Sequence, residues 1–190
     1  FLFPTLGYGQ DWGFNFRLPF YWNIAPDQDA TFEWRVMANR GVQTAGEYRY
    51  LGTTDSGDYS GVVRGEYLPE DRKFGSSRSG WSYDHHLNTQ RWNTDFKLDV
   101  DLGYVSDTSY LDDLADNLQV SSASHIPQTV ELEVDPYDIF VEEENLRANL
   151  DFSAYQSVDA ELTDDEEPYA RLPGLKVTWD KTYDLSAEDR

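Results

Sequence analysis

Apolar and polar side chains alternate along most of this chain with a period of two. From Gly13 to Ala38 the alternation is continuous across two segments. Phe14, Phe16, Leu18, Phe20 and Trp22 fall on one side of the first, with Asn15, Arg17, Pro19, Tyr21 and Asn23 on the other. Phe32, Trp34, Val36 and Ala38 oppose Thr31, Glu33, Arg35 and Met37 in the second. Successive side chains of a strand face opposite ways, so this spacing predicts two strands with one apolar face. The link from Ile24 to Asp29 carries a proline and two aspartates and predicts a turn.

The same period marks the rest of the chain. Phe1 to Gly9 reads as a strand containing Pro4. Further strands are predicted at Glu47–Leu51, Tyr59–Tyr67, Trp81–Asn88, Trp92–Tyr104, Val130–Val134, Leu146–Ala154 and Leu175–Trp179. Trp92 to Tyr104 shows the clearest alternation, with Asp and Lys filling the opposite side. Short turns are expected at Asn39–Gly41, Thr53–Gly57 and Thr89–Arg91. Longer connections are expected at Pro69–Gly80, Ser106–His125, Asp135–Asn145 and Gln156–Leu172, with a helical turn or two over Tyr110–Leu118.

The fold class that follows is all-β: an antiparallel up-and-down meander of roughly ten strands, part of a larger transmembrane β-barrel. Several segments have the roughly nine to eleven residues of a tilted strand that crosses a bilayer. Long connections at one end and short ones at the other fit the same picture, Asp135–Asn145 excepted. Trp12, Trp22, Trp81, Trp92, Tyr104 and Trp179 lie near strand ends, where interfacial girdles form. Packing inside an ordinary β core is the other use for such residues.

Composition sharpens this. Aromatics make up 15% of the 190 residues, too much packing surface for a disordered chain despite a mean hydropathy of −0.69. Acidic residues outnumber basic ones 36 to 15, for a net charge of −21. No basic stripe offsets that charge, so nucleic acid is not an expected partner. Cysteine is absent, which excludes disulfides and thiolate metal sites within these residues. The first residue is Phe1, and the chain ends without a closing element, so it is expected to be an excerpt of a longer protein.

Catalytic chemistry finds no foothold. His85 and His86 are adjacent and point to opposite faces of a strand, and His125 is far from both, so no metal site is expected. Acid pairs are too numerous to single one out. There is no GxSxG elbow, no phosphate loop and no calcium loop. Neither an enzyme nor a cofactor is expected.

Beyond pattern, the block LPFYWNIAPDQDATF at Leu18–Phe32 resembles the start of the β-barrel of the LPS-assembly outer-membrane protein family LptD (OstA/Imp). The likeness continues through RGVQTAGEYRYL at 40–51, GEYLPEDRKFG at 65–75, YVSDTSYLDDL at 104–114 and YARLPGLKVTW at 169–179, and so covers nearly the whole chain. The resemblance implies that residues 1–190 form one segment, the first strands of the barrel. The periplasmic jellyroll, the closing strands and the family's cysteines would lie outside it.

It further implies a translocon that inserts lipopolysaccharide into the outer leaflet of the Gram-negative outer membrane. Its partners would be lipopolysaccharide, outer-membrane lipid, an LptE-like plug lipoprotein and, through the missing N-terminal domain, an LptA-like periplasmic bridge. The resemblance implies a lateral opening between the first and last strands of the barrel, and a proline in each of the first two strands. Pro4 and Pro19 match them and are the lateral-gate candidates. Proline cannot donate to the ladder, which suits a seam that opens. The alternatives are a general porin or receptor barrel, and a secreted carbohydrate-binding β-sandwich. The acids Glu131, Glu133, Asp151 and Asp180 are expected to face away from lipid. An acidic lumen would repel an anionic lipid, which bridging divalent cations would offset.

Overall fold

A computed structural model describes residues 1–114, 125–136, 144–158 and 171–181. The strands are β1 (Thr5–Gly9), β2 (Gly13–Ala25), β3 (Gln28–Met37), β4 (Gly41–Thr54), β5 (Gly57–Asp71), β6 (Ser76–Arg91), β7 (Thr94–Val105), β8 (His125–Pro136), β9 (Glu144–Ser157) and β10 (Arg171–Lys181). One short helix, α1 (Tyr110–Leu114), lies between β7 and β8. The ten strands form a single antiparallel sheet in sequence order, as the alternation predicts. Among the described residues no second sheet faces it, so a β-sandwich has nothing to close against.

Register sorts the side chains. Residues opposed across a ladder share a face. From Phe16 the pairing runs through Val36 to Val42, and from Tyr67 it runs through Thr44 back to Trp34. Farther along, Val63 opposes Tyr83, Tyr83 opposes Leu102, Val100 opposes Val130, Val130 opposes Phe152, and Leu150 opposes Leu175. One apolar surface therefore spans all ten strands. Its large side chains stay exposed, among them Phe32, Trp34, Val63, Trp81, Phe152 and Val177. Apolar area on that scale does not face water in a soluble monomer; it fits hydrocarbon.

The opposite face is polar and concave. Arg17, Glu33, Glu47, Arg64, Asp84 and Asp101 stand on it, as do Glu131, Glu133, Asp151 and Asp180. A groove of about 810 Å³ along it is lined from Tyr21 in β2 to Thr129 in β8. The acids thus avoid lipid, as expected.

Several boundaries differ from the sequence reading. Pro69–Gly80 is not a long loop: β5 runs to Asp71 and β6 starts at Ser76, leaving a four-residue turn whose Gly75 has φ 86°. Polar side chains there face the concave side or the rim, so low hydropathy does not interrupt the backbone ladder. Pro69 is accommodated where the register shifts between Leu68 and Asp71. β4 begins at Gly41, six residues before the predicted start. The link expected over Ile24–Asp29 shrinks to Pro26 and Asp27, helped by a register shift between Asn23 and Ala25. The turn expected at Thr89–Arg91 is Trp92–Asn93, both in the left-handed region (φ 52° and 53°) that a two-residue primed hairpin demands. Trp92 is thus a turn residue. His125 opens β8 instead of lying in a loop, and β1 starts after Pro4. The connections at 115–124, 137–143 and 159–170 fall outside the described residues, including the end of the predicted helical stretch.

Seven of the strands from β2 to β10 run to twelve to sixteen residues, more than the roughly nine to eleven a bilayer needs, so the sheet protrudes from it; β3 and β10, of ten and eleven, match it. The two-sidedness gives a direct test. Val62→Arg and Val63→Arg change neighbouring residues on opposite faces. In the intact protein Val63→Arg sets a charge among the lipid-facing side chains and should lower the heat-modifiable folded form in membrane fractions, because a lipid-facing arginine is destabilising. Val62→Arg should leave that form near its native level.

Candidate functional site

Three features gather at or beside the concave face: the first seam, the charged wall and the α1 cap.

At the seam, β1 stays in register with β2 only from Thr5↔Arg17 to Gly9↔Gly13. The direction of the missing proline donor follows from two hydrogen bonds. Ala38 N donates to Phe14 O at 2.9 Å, so even-numbered residues of β2 direct their backbone groups at β3. Odd-numbered ones therefore address β1, since successive residues of a strand alternate. Leu2 N donates to Pro19 O at 2.9 Å, which agrees. The N–H that Pro19 lacks is thus one that would have crossed to β1. Pro19 itself sits inside β2 opposite Glu33. Pro4 sits just before β1, where the ladder stops. The structure brings both prolines to the same end of one seam.

The charged wall is a chain of ion pairs across strands. Arg49 binds both carboxylate oxygens of Asp29 at 2.8 Å. Arg64 bridges Glu47 and Asp84, each at 2.9 Å. Arg147 reaches Asp135 at 3.0 Å and Glu133 at 3.2 Å. Carboxylates outnumber the cations around the groove: Asp27, Asp29, Asp84, Asp99, Asp101 and Glu131 line it with Arg49. His86 binds Asp99 on this wall, while His85 lies on the apolar face, as their adjacency predicts. Among the described residues no three His, Asp or Glu side chains converge as metal ligands.

The α1 cap is the part the sequence did not disclose. Tyr110 and Leu114 are buried with Met37, Leu68, Val105, Ile126 and Val158. This is the one apolar core among the described residues, and it plugs the end of the concave face at the 38–40 and 72–75 turns. Around it runs a buried ionic network. Arg78 and Asp71 have no exposed side-chain surface. The Arg78 guanidinium donates to Asp107 (2.9 and 2.6 Å), Asp113 (2.7 Å) and Asp71 (3.2 Å). Arg40 joins Asp71 (2.7 Å) and Asp113 (2.8 Å). Phe74 and Tyr110 flank the Arg78 guanidinium with their rings. The carbonyl end of α1 is capped by Trp12 Nε1 on Asp113 O (3.1 Å) and Arg35 on Leu114 O (3.4 Å), placing donors where a helix leaves acceptors open. Trp12 is therefore a cap residue, not a girdle residue.

Burial pushes the Asp107 carboxyl up, but its hydrogen bonds from Arg78, Ser106 and Ser109 outweigh that and hold it below the ordinary carboxylate value. Burial first, then the Glu66 carboxylate, keeps the Tyr110 phenol protonated, and it donates to Glu66 at 2.9 Å. Arg78 and Asp71 were hidden in the sequence because they belong to the polar stretch that reads as a loop. The only legible signal was the YLDDL spacing.

A scan against family descriptions matches residues 76–187 to LptD, LPS transport system D. That is more than half of the chain. The chain belongs to the LptD family. Curated LptD relatives agree. The LPS-assembly protein LptD of Aromatoleum aromaticum is 35% identical over 175 residues, 92% of this chain and 20% of the relative. That of Ralstonia nicotianae is 33% identical over 189 residues, the full chain and 22% of the relative. That of Cupriavidus pinatubonensis reaches 42% over 114 residues, 60% of this chain and 13% of the relative. The chain thus spans about a fifth of the length of the first two LptD proteins. Membership sets aside the porin and carbohydrate-binding alternatives and accords with an outer-membrane β-barrel.

The cap has a testable energetic signature. Arg78→Ala strands buried carboxylates and should cost about 3–5 kcal/mol, read as faster amide exchange at Tyr110–Leu114 with the strands still protected. The sign of the pH effect follows from the depressed Asp107 value. Its contribution is complete above the unfolded carboxylate pKa, about 3.9, and disappears as pH falls through the lower folded value. Exchange at α1, corrected for intrinsic rates, should be flat from pH 8 to 5 and rise only below about pH 4. Asp107→Asn should raise it already at neutral pH.

Proposed function

We propose that this chain is the first wall of an LptD translocon barrel in the Gram-negative outer membrane, and that the β1–β2 seam is part of its lateral gate. The transported molecule is lipopolysaccharide. It has a polar head and acyl chains, so it must leave with its head on the concave polar side and its chains on the apolar side. A continuous hydrogen-bonded wall forbids that passage; a seam between two strands permits it. The observation that carries this reading is the Pro19 carbonyl accepting from Leu2, which aims the missing proline donor at β1.

Each absent ladder bond removes roughly 0.5–1.5 kcal/mol of pairing. A seam weakened at Pro19 and interrupted at Pro4 opens before the seams on its other side, where β2–β3 pairs from Asn15 to Ala25. The protein does no covalent chemistry and uses no cofactor in this reading. An LptE-like lipoprotein would fill the lumen, and an LptA-like bridge would deliver cargo through the domain that precedes the barrel.

The acidic wall is compatible with transport of an anionic head accompanied by divalent cations. Arg49 and Arg64 are not open to the head, because both are already committed to carboxylates.

Replacing Pro4 and Pro19 together by Val restores both donors. In cells relying on the doubly substituted intact protein, newly made lipopolysaccharide should reach the surface several-fold more slowly, with barrel level and heat-modifiability unchanged. Unaltered arrival kinetics would remove the gate while leaving the barrel reading in place.

A further inference from the structure

On the apolar face, one polar cluster interrupts the hydrocarbon surface. Tyr50 (β4), Tyr83 and His85 (β6) share this face with Val63, Leu102 and Val100, to which the ladders pair them or their neighbours. The Tyr50 hydroxyl lies 3.0 Å from the Tyr83 hydroxyl and 2.7 Å from His85 Nδ1. The Tyr83 and His85 rings stack at 6.0 Å. Gly61 makes the arrangement fit, because a Cβ there would overlap the Tyr50 hydroxyl. Among the described residues the three groups have no hydrogen-bond partners other than these. Tyr48, their neighbour, is satisfied separately by donating to Gln28 at 3.0 Å.

Counting hydrogens decides what the cluster needs. A neutral imidazole has one N–H, and each tyrosine has one O–H. Two of these three hydrogens make the two internal bonds. The third has no acceptor among the described residues. If Tyr83 donates to Tyr50 and Tyr50 to Nδ1, the leftover donor is His85 Nε2–H. If the chain runs the other way, it is the Tyr83 O–H. In both directions one donor is left over in a cluster that stands on the apolar face. Leaving such a donor in hydrocarbon is costly, and an ionised acceptor satisfies it best. The position suits the membrane interface: His85 is two residues in from the Tyr59↔Leu87 pair near the end of the sheet, and Tyr59 packs on Tyr50 at 6.3 Å.

We infer that Tyr50, Tyr83 and His85 form a binding site on the outer wall for the headgroup phosphate of a membrane phospholipid. The bound lipid would lie outside the barrel with its chains along Val63 and Leu102. The site rests on the apolar face being the lipid face, but not on the gate.

The test uses the intact protein in a phosphate-free maltoside detergent. Bound lipid is counted by native mass spectrometry during titration with phosphatidylglycerol, or with a diacylglycerol glycolipid of the same chains. The native protein should prefer the phosphate-bearing lipid about tenfold, the scale of one charge-assisted hydrogen bond. Any single substitution leaves a spare donor, so the informative variant is the triple Tyr50→Phe, Tyr83→Phe, His85→Leu, which should lose that preference. Tyr59→Phe, whose hydroxyl is outside the chain of bonds, should keep it. Equal retention of both lipids by the native protein overturns the site without need of any variant. So does an undiminished preference in a folded triple variant, or displacement of the lipid by millimolar inorganic phosphate. If the protein instead stays dispersed without detergent, the lipid-facing assignment itself fails, which is a different result.

Discussion

The constraint on which everything else depends is the unbroken backbone ladder between two unlike solvents. In hydrocarbon a spanning backbone must pair all of its N–H and C=O groups, and strands achieve that only with neighbours. From β2 to β9 each strand has two. Once the ladder is fixed, side-chain direction is no longer free, because a one-residue slip would turn every apolar residue to the concave side. The pairings from Phe16 to Val42 and from Val63 to Leu102 show one register kept across the sheet.

The two faces solve their problems differently. The apolar face needs no internal packing, since lipid supplies it, and its large residues remain exposed. The polar face must settle many charges, and does so by pairing carboxylates with arginines across neighbouring strands. Such pairs contribute little individually when wet. Their consequence is that Arg49, Arg64 and Arg147 are already engaged. Where the chain does build a protein-like interior, beneath α1, the ion pairs are dry. There Arg78 balances three carboxylates, so losing it costs far more than losing a surface arginine.

Both proposals rest on exceptions to an otherwise regular sheet. Pro19 is an exception within a strand, aimed at the seam that pairs least, and Pro4 marks the point where the regular register ends, with the Leu2–Pro19 bond beyond it. The Tyr50–Tyr83–His85 cluster is an exception on the apolar face. Both break a local rule where the surrounding sheet is regular, which is the pattern expected of sites retained for a task and not for stability.

The sequence by itself determined the strand periodicity, the number and order of strands, the sorting of acids away from lipid and the opposite directions of His85 and His86. Each follows from a period of two and needs no distant partner. Family membership was legible in the YWNIAP block. Where strands end was not: Pro69 to Gly80 looks like a loop, yet part of it continues the ladder, because backbone pairing is indifferent to side-chain polarity. Only the tertiary structure decided that α1 turns inward and that Asp71, Asp107 and Asp113 converge on Arg78, since those partners are up to 35 residues apart in the chain. Nor could the sequence say which strand Pro19 fails to meet. A proline announces a missing donor, but its direction is set by register, and register is a relation between strands.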